Sequence, residues 1–370
     1  MAKNLTSHSV LTSAKTAKND EFYTQLADIE QEMTHYRQHF YGKTIFLNCD
    51  DPETSYFWVY FSLNFDFLGL KSLISTHYVE DIEKNGPAYM LRLDAQKGTN
   101  QERITKKNLK ENGDFRSDEC IELLKEADIV ITNPPFSLFR EFTNQLIEYK
   151  KQFIIIGNKN AVTYKEIFPL LKENKVWIGH RNMNRDFWFI VAENYKAEKI
   201  DKNGNRIKHI MACWYTNLDI DKRHEELVLT NFYEGNEEKY PFFDNYNAIN
   251  IDKVKDIPMD FTGVMGVPIT FLDKYSPDQF EIMGMTKTPI CNDNNIGAER
   301  IKTYNNVIQI KNGVQSSGNK VNDGSALLYK EVPTTSVYYI AENLNGYLVA
   351  QYPRILIKNK RAVSKEEMLS

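Results

Sequence analysis

Short, almost uninterrupted apolar runs recur along the first 200 residues, and they constrain the fold more than any other feature of the sequence. Amphipathic stretches separate these runs. Strands covered by helices on both faces need such continuous apolar runs, whereas a strand with one solvent face alternates polar and apolar residues. The pattern therefore predicts an α/β fold with a doubly wound, mostly parallel sheet. The predicted strands are residues 44–48, 73–77, 128–133, 153–158 and 176–180.

Helical periodicity fills the gaps between these strands, and two further segments suggest hairpins. The predicted helices cover residues 117–127, 137–149 and 163–172. An insertion at 87–109 alternates polar and apolar side chains, which indicates an added hairpin. Segments 187–191 and 207–214 flank the turn signal Asn203-Gly204, so we expect a second hairpin that closes the sheet antiparallel.

The character of the sequence changes after about Leu218, where it becomes irregular and rich in Asn, with scattered Gly and Pro. A chain of 370 residues is long enough for an α/β catalytic domain and a smaller second domain. We predict a flexible polar lead-in at 1–20, a catalytic domain at 21–218 and a mixed or β-rich region at 219–370.

Composition excludes several classes of protein. Hydrophobic residues make up 42% and charged residues 26% of the chain, as in ordinary globular proteins. The sequence contains no apolar run of about 18 residues and no secretory leader, so we expect a cytoplasmic protein without a membrane partner. His35 and His39 have a metal-ligand spacing, but no Glu or Cys completes a set, and we expect no metal. The cysteines show no paired spacing and are expected to be reduced thiols: Cys49, Cys120, Cys213 and Cys291.

The motif Asn133-Pro134-Pro135-Phe136 follows the predicted strand 128–133 and carries the most specific chemical signal. Ligands of open α/β sheets bind at the carboxyl ends of strands, and two consecutive prolines hold the backbone in an extended turn. Such a turn can direct the side-chain oxygen of Asn133 and the carbonyl of Pro134 at the two N–H bonds of one amino group. A planar amine such as that of adenine would then become more tetrahedral and more nucleophilic. We predict that all four residues serve catalysis, although a stiff strand-to-loop turn is the alternative.

Aromatic residues could hold the target base. A base inside a duplex is out of reach of an enzyme pocket, so the adenine must be rotated outward. Phe136 offers a face for stacking, a contact worth about 1–3 kcal/mol in single-strand binding. Phe187 or Trp188 are candidates for the second face, and a role in the core of a strand explains both equally well.

The motif and the segments around it resemble the EcoRI-type adenine-specific DNA methyltransferase family. This resemblance implies a class I, Rossmann-like amino-methyltransferase that uses S-adenosylmethionine. It also implies site-specific N6-methylation of adenine in double-stranded DNA, in a modification or restriction-modification setting. Similarity extends over residues 18–218 and is weaker at 265–271 and 354–357. The matching segments are 18–24, 48–52, 73–78, 113–117, 133–136 and 155–158.

The resemblance further implies which residues hold the cofactor. The carboxylate of Asp50 or Asp51, after the first strand, is placed to bind the ammonium of the methionine moiety, although either acid could equally serve a helix N-terminus. Asp114 and Phe115 resemble the pair that holds the cofactor's adenine, and a loop acid with a core aromatic is the alternative. The complete predicted cofactor set is Phe22, Tyr23, Thr24, Asn48, Asp50, Asp51, Thr76, Asp114, Phe115 and Asn133.

Two features depart from the usual pattern of these enzymes. The glycine-rich turn expected after the first strand is absent. The acid expected after the second strand, which would hold the ribose hydroxyls, is replaced by Thr76-His77-Tyr78. Glu80 is the alternative for that role.

Local charge suggests how DNA is bound, since the net charge of −4 hides basic regions. Residues 150–209 carry a net charge of +7 and residues 301–370 a net charge of +4. We expect the C-terminal region to recognise the target, with Lys311, Lys320 and Arg354 as candidates for phosphate contacts. The alternatives are methylation of RNA adenine or protein glutamine, or a DNA-binding relative that has lost catalysis. Action as a monomer is expected.

Overall fold

The computed structural model describes residues 22–95, 103–192, 195–287 and 300–363. The chain divides into two compact units. The first comprises Met1–Asn160 and Val176–Asp221, and the second comprises Ala161–Lys175 and Lys222–Ser370. The sequence predicts a single domain boundary near Leu218. In the structure the chain passes into the second unit after Asn160, returns to the first at Val176 and enters the second again after Asp221. The predicted lead-in at 1–20 lies outside the described residues.

The first unit is built around a mixed sheet. Its helices are α1 (Leu26–Met33), α2 (Tyr56–Leu63), α3 (Ile82–Asn85), α4 (Asp118–Glu126) and α5 (Phe139–Glu148). Its strands are β1 (Thr44–Leu47), β2 (Ser72–His77), β3 (Tyr89–Asp94), β4 (Ile104–Asn108), β5 (Ile129–Thr132), β6 (Gln152–Asn158), β7 (Trp177–Ile178), β8 (Phe187–Ile190), β9 (Lys199–Ile200), β10 (Arg206–Ile210) and β11 (Ala212–Thr216). A short 3-10 helix lies at Thr34–His39, and another at Lys159–Thr163 spans the boundary to the second unit.

The main sheet has the strand order β4-β3-β2-β1-β5-β6-β11-β7. Its centre, from β2 through β1 and β5 to β6, is parallel. Every residue of β1 and β5 is buried, as expected for strands covered on both faces. The predicted α/β class with a parallel central sheet is therefore confirmed, while both edges of the sheet are antiparallel.

The predicted insertion is a hairpin, because β3 and β4 pair antiparallel at the edge of the sheet. The second expected hairpin differs from its prediction. The segment 207–214 is divided between β10 and β11, and only β11 closes the main sheet, against β6. β8 pairs instead with β10 in a separate sheet of order β8-β10-β9, and the Asn203-Gly204 turn joins β9 to β10.

Local sequence explains where the helices next to the sheet begin. The hydroxyl of Ser55 accepts a hydrogen bond from the amide of Phe57 and caps α2. Ser117 caps α4 in the same way through the amide of Cys120, as predicted. Both caps fix a helix directly after a loop that leaves the carboxyl end of a strand.

The second unit is rich in strands. Its elements are the helix α6 (Phe168–Lys172) and the strands β12 (Ile249–Asn250), β13 (Met265–Pro268), β14 (Phe280–Met285), β15 (Ile308–Lys311), β16 (Val314–Ser317), β17 (Ala326–Tyr329), β18 (Val337–Ile340), β19 (Tyr347–Ala350) and β20 (Arg354–Asn359). Short 3-10 helices lie at Glu237–Lys239, Val254–Asp256, Ile269–Lys274 and Asn319–Asp323, and that at Asp221–His224 spans the boundary between the units. The strands form two sheets, β12-β13-β20-β14 and β16-β15-β18-β19-β17, among the described residues.

Candidate active site

The exits of β1, β2 and β5 meet at one edge of the main sheet, because these strands are parallel neighbours. A cavity of about 320 Å³ opens there. This volume falls within the range of about 300–1,000 Å³ that is typical of small-molecule sites. The cavity is lined by Phe22, Tyr23, Asn48, Cys49, Asp50, Asp51, Ser55, Thr76, His77, Tyr78, Gly113, Asp114, Phe115, Arg116, Asn133, Pro135 and Leu138.

The cavity brings together nine of the ten predicted cofactor residues, and Thr24 is the exception. Of the predicted catalytic residues, Asn133 and Pro135 line it, whereas Pro134 and Phe136 are buried beside it. Segments separated by more than 100 residues thus converge at one site.

Asn133 is fixed at its backbone and at its side chain. Its amide N–H donates to Asp50 Oδ2 at 3.1 Å, and its Nδ2 donates to the carbonyl of Phe22 at 2.5 Å. Its Oδ1 is buried and has no hydrogen-bond partner among the described residues. A buried acceptor without a partner is costly unless a ligand or water satisfies it. The turn after β5 therefore holds one unused acceptor at the cavity.

Phe136 lies in an aromatic cluster rather than on an open surface. Its side chain is 7% exposed, and its ring centroid lies 5.7 Å from that of Phe22 and 6.2 Å from that of Phe189. The same Phe22 accepts the hydrogen bond from Asn133 through its carbonyl. The segment around Phe22 therefore contacts the Asn-Pro-Pro-Phe turn at two points.

Asp50 is buried where the exits of β1 and β5 meet. Its Oδ2 accepts hydrogen bonds from the Thr132 hydroxyl and from the Asn133 amide, and its Oδ1 accepts from Ser55 Oγ at 2.9 Å. Burial raises the pKa of this carboxyl from 3.8 to about 6, against the opposing effect of these hydrogen bonds. The neighbouring Asp51 raises it further.

Asp51 has a more open position. Its side chain is 28% exposed, and its Oδ2 lies 3.2 Å from His77 Nδ1. The His77 ring in turn stacks on Tyr89, with 4.7 Å between the ring centroids. Both acids predicted to bind the ammonium line the cavity, and Asp51 is the more exposed of the two.

Asp114 and Phe115 also line the cavity, and they precede α4 in the chain. Arg116 donates to Asp114 from its amide at 2.9 Å and from its guanidinium at 2.8 Å and 2.6 Å. Burial favours the neutral form of Asp114, but these contacts outweigh it and lower the pKa of the carboxyl. Gly113 has a φ of +75°, and a Cβ there would lie 2.6 Å from the carbonyl of His77, so this turn requires glycine.

Two more polar atoms near the cavity lack partners among the described residues. They are Nδ2 of Asn48 and Oγ1 of Thr24, and both are buried. Thr76 Oγ1 donates to the carbonyl of Asn48 at 3.2 Å and so fixes the loop after β1. The site therefore contains donors and acceptors ready for a polar ligand, besides the accessible carboxylate of Asp51.

Sequence reasoning missed several residues that line the cavity, although they adjoin predicted ones: Cys49, Ser55, Gly113, Arg116 and Leu138. Cys49 matters chemically because its thiol could be taken for a nucleophile. Burial and the adjacent Asp50 carboxylate raise the pKa of this thiol well above its ordinary value. The thiol stays protonated at neutral pH, which argues against covalent catalysis by Cys49.

Three expectations change with the structure. Phe187 is 1% exposed and stacks on Phe189 in the core, so we no longer expect it to contact a base. Glu80 is exposed and does not line the cavity, which removes it as the ribose ligand. Arg354 is 8% exposed and donates to Asn250 Oδ1 at 3.1 Å, so it is a structural residue of the second unit rather than a phosphate contact.

Trp188 is the other residue predicted either to stack on the base or to lie in the core of a strand. It is half-buried on β8, with Lys199 Nζ 3.5 Å from its ring centroid and the ring of His209 5.5 Å away. Lys311 and Lys320 are both exposed on the second unit. These residues therefore remain candidates for DNA contacts.

His35 and His39 have the spacing of metal ligands in the sequence, but they are not expected to bind a metal. His35 stacks on His180, whereas His39 Nε2 contacts the carbonyl of Asp219 at 2.7 Å. No group of three potential metal ligands occurs in the part of the chain that the structure describes. In the same part, no helix is both long and apolar enough to span a membrane.

The parallel sheet, the cavity at its strand exits and the Asn-Pro-Pro-Phe turn are those of a Rossmann-like methyltransferase. Comparison with known families identifies the group within this class. The chain matches the family described as "Adenine-specific methyltransferase EcoRI" over residues 10–360, and it belongs to that family. The prediction of an adenine-specific DNA methyltransferase is thereby confirmed.

Individual relatives agree with this assignment. The chain is 51% identical over 300 residues to the type II methyltransferase M.EcoRI of Escherichia coli, covering 78% of this chain and 92% of the relative. It is 43% identical to the type II methyltransferase M.MgeORF184P of Mycoplasma genitalium, with 75% and 86% coverage. It is 41% identical to the type II methyltransferase M.MpnI of Mycoplasma pneumoniae, with 75% and 85% coverage. No solved structure matches the chain.

Proposed function

We propose that the chain transfers a methyl group to N6 of an extruded adenine in double-stranded DNA, with the turn after β5 as the catalytic element. The proposal depends on the unused Oδ1 of Asn133, a buried acceptor at the cavity whose amide is oriented by Phe22 and whose backbone is held by Asp50. Asn133 Oδ1 and the Pro134 carbonyl accept the two N–H bonds of the target amine. This interaction favours a tetrahedral nitrogen whose lone pair is available for attack.

The residues around the cavity fit S-adenosylmethionine as the methyl donor. Asp51 would bind the ammonium of its methionine part, because its carboxylate is more exposed than that of Asp50, which is held by Ser55, Thr132 and the Asn133 amide. Asp114 and Phe115 would hold its adenine, and Asn48 and Thr76 also line the cavity, with Nδ2 of Asn48 as a buried donor without a partner among the described residues. When bound, this cofactor supplies a methyl group on a positively charged sulfonium.

Stacking on Phe136 requires movement of the Phe22 side chain, while the Phe22 carbonyl keeps the hydrogen bond from Asn133. The Phe22 ring covers that of Phe136 at 5.7 Å between centroids, so this side chain must be displaced before a base can use the Phe136 face. We propose that the base and Phe22 compete for this face. Trp188 offers a second, half-exposed aromatic surface on the same unit.

Residues 150–209 carry an excess of positive charge, and they contain the turn between β9 and β10. We place contacts with DNA phosphates at this turn. Lys199, Lys202 and Arg206 are exposed there. The acid of this turn, Asp201, is occupied by hydrogen bonds from the amides of Asn203 and Asn205. The turn therefore presents cations toward solvent. Lys311 and Lys320 are proposed as phosphate contacts of the second unit, and action as a monomer stays a prediction.

The test is methyl transfer from labelled S-adenosylmethionine to duplex DNA, RNA and peptide substrates, followed by identification of the modified atom. We expect N6-methyladenine in DNA alone. Asn133→Ala should lower the single-turnover rate by about 100- to 1,000-fold, the usual cost of deleting one preorganised transition-state contact. DNA affinity should change little. Full turnover in this variant, or transfer to RNA or peptide instead, would refute the assignment.

A further inference from the structure

Asp50 joins three parts of the site through its two carboxylate oxygens. Oδ1 accepts from Ser55, the cap of α2, and Oδ2 accepts from Thr132 and from the Asn133 amide. Its own carbonyl accepts a hydrogen bond from Ser75 Oγ at 2.5 Å. The side chain thus ties the loop after β1 to the start of α2 and to the end of β5.

Thr132 strengthens this link in the opposite direction. Its hydroxyl accepts a hydrogen bond from the amide of Cys49 at 3.2 Å and donates its proton to Asp50 Oδ2. The exits of β1 and β5 are therefore held together by a closed set of contacts. Thr132 is fully buried and Asp50 is 9% exposed, so water competes little for these hydrogen bonds.

The neighbouring acid lacks these contacts. Asp51 accepts from the amide of Glu53 at 3.0 Å through Oδ1, and its Oδ2 faces His77. Its side chain is 28% exposed. Two consecutive acids that look alike in the sequence thus have different surroundings, one turned toward the catalytic turn and one toward the cavity.

We propose that Asp50 is a positioning residue that fixes the backbone of Asn133, and that Asp51 rather than Asp50 binds the cofactor ammonium. This inference rests on the catalytic role proposed for Asn133. Asp50 acts only through the Asn133 amide and Thr132, and it touches neither the target amine nor the methyl donor. In its ionised form both oxygens accept, Oδ1 from Ser55 and Oδ2 from Thr132 and the Asn133 amide.

Asp50→Asn tests this role with almost no change in size. An asparagine keeps one oxygen, which cannot serve Ser55 on one side and Thr132 with Asn133 on the other. We expect the single-turnover rate at saturating cofactor and DNA to fall by about 100-fold, the order expected when reacting groups are misplaced by about 1 Å. The dissociation constant for S-adenosylmethionine, measured by titration calorimetry, should stay within about twofold, because Asp50 is proposed not to contact the cofactor.

Asp51→Asn should give the opposite division of effects. Loss of a charge-assisted contact to the ammonium should raise the cofactor dissociation constant by about tenfold. The rate at saturating cofactor should fall less than in Asp50→Asn. Asp66→Asn is the matched surface control, because Asp66 contacts Arg103 and does not line the cavity.

A second pair of variants separates positioning from loss of folding. Thr132→Val removes the donor to Asp50 with little change in shape, and Thr132→Ser retains the hydroxyl. We expect Val to slow methyl transfer and Ser to restore most of the rate, while both melt cooperatively. In the double variant Asp50→Asn/Thr132→Val the two losses should be less than additive, since both act on one network.

The outcomes distinguish this inference from the proposed function. A cofactor affinity that falls in Asp50→Asn, with an unchanged rate at saturation, would make Asp50 the ammonium ligand and overturn the inference. A full rate in Asn133→Ala would overturn both. An inactive Asn133→Ala together with a fully active Asp50→Asn would overturn only the role of Asp50.

Discussion

At the scale of single residues, Asn133 is distinguished by what its amide nitrogen does. The nitrogen donates to the Phe22 carbonyl, so the two ends of the amide are not interchangeable and Oδ1 is the end left for a ligand. An acid at this position would keep an acceptor but lose the donor. Asn133 therefore has to meet two requirements, an acceptor oxygen for a ligand and a donor nitrogen for the Phe22 carbonyl.

Asn133→Asp tests the donor requirement. Its carboxylate would face the Phe22 carbonyl without a proton between them, and we expect methyl transfer to fall by about tenfold or more, the cost of one lost hydrogen bond plus repulsion. A protonated carboxyl can donate to Phe22 and still accept. The ratio of the variant rate to the wild-type rate should therefore rise as the pH is lowered from 8 toward 5, in single-turnover assays. A flat ratio would contradict the role of Phe22.

Asp50 predicts a pH dependence of stability. Its pKa in the folded chain is about 6, above the ordinary 3.8, so the folded chain holds this proton in a range where the unfolded chain has lost it. The contribution of Asp50 to the free energy of unfolding is therefore greatest below pH 4. It decreases by roughly 3 kcal/mol as the pH rises to about 6, because each pKa unit corresponds to about 1.36 kcal/mol.

Urea unfolding at several pH values checks this dependence. The difference in unfolding free energy between wild type and Asp50→Asn should shift in favour of the variant as the pH rises from 4 to 6.5, and then stay constant. Asp66→Asn provides the comparison for an exposed acid, because its side chain is 69% exposed. A difference that does not vary with pH would show that Asp50 ionises normally.

At the scale of elements, the segment before α1 acts as a strap over the catalytic turn. Tyr23 forms a two-way backbone bridge with Ile190 of β8, at 2.9 Å in each direction, and Gln25 donates to the Trp188 carbonyl. Phe22, next to this bridge, orients Asn133. The small sheet β8-β10-β9 is thus linked to the proposed catalytic turn through the main-chain bridge of Tyr23 with Ile190 and the side-chain hydrogen bond of Asn133 to Phe22.

The turn between β9 and β10 predicts a change in the salt dependence of DNA binding. Removing two phosphate contacts with Lys199→Gln/Lys202→Gln should reduce the slope of log K against log salt by up to about 1.8, at about 0.9 for each contact. Filter binding or anisotropy at 50–200 mM salt measures this slope. Lys71→Gln/Lys125→Gln is the control with equal charge loss, since these residues lie near the starts of β2 and β5, at the edge away from the cavity. Equal slopes in both double variants would remove this turn from the DNA interface.

Elements governed by local patterns could be predicted from the sequence, and those governed by distant pairing could not. Continuous apolar runs predicted β1, β5 and β6, and Ser117 predicted the start of α4. The pairing of β8 with β10 and not with the main sheet depends on partners that alternation does not specify. In the site, the proline motif identified Asn133, whereas Ser55 and Thr132 were missed because an isolated Ser or Thr carries no signal of its partner.

At the scale of the whole molecule, the chain passes between its two compact units more than once, since Ala161–Lys175 belongs to the second unit. No change in composition marks this excursion, which is why the sequence suggested a single boundary. The cavity, the catalytic turn and the strap all belong to the first unit. Recognition of a particular DNA sequence by the second unit remains a prediction.

Cofactor binding should raise the stability of the folded chain. A ligand at 100 times its dissociation constant stabilises by about 2.7 kcal/mol when it binds only the folded state. We expect S-adenosylmethionine to raise the melting temperature of the full chain measured by calorimetry, equally in wild type and in the control Asp66→Asn, and much less in Asp51→Asn. An unchanged melting temperature in wild type would contradict binding of this cofactor in the cavity.

The hydrogen bond from Gln25 to Trp188 joins residues 163 positions apart, and that from Asn133 to Phe22 spans 111. A ribosome therefore releases residues 22–25 long before it makes β8, to which they must dock. During synthesis, a partial chain can contain the whole Asn-Pro-Pro-Phe turn without the anchor that orients it. We therefore expect competence to modify DNA to arise late in synthesis, so that unfinished chains do not methylate the genome.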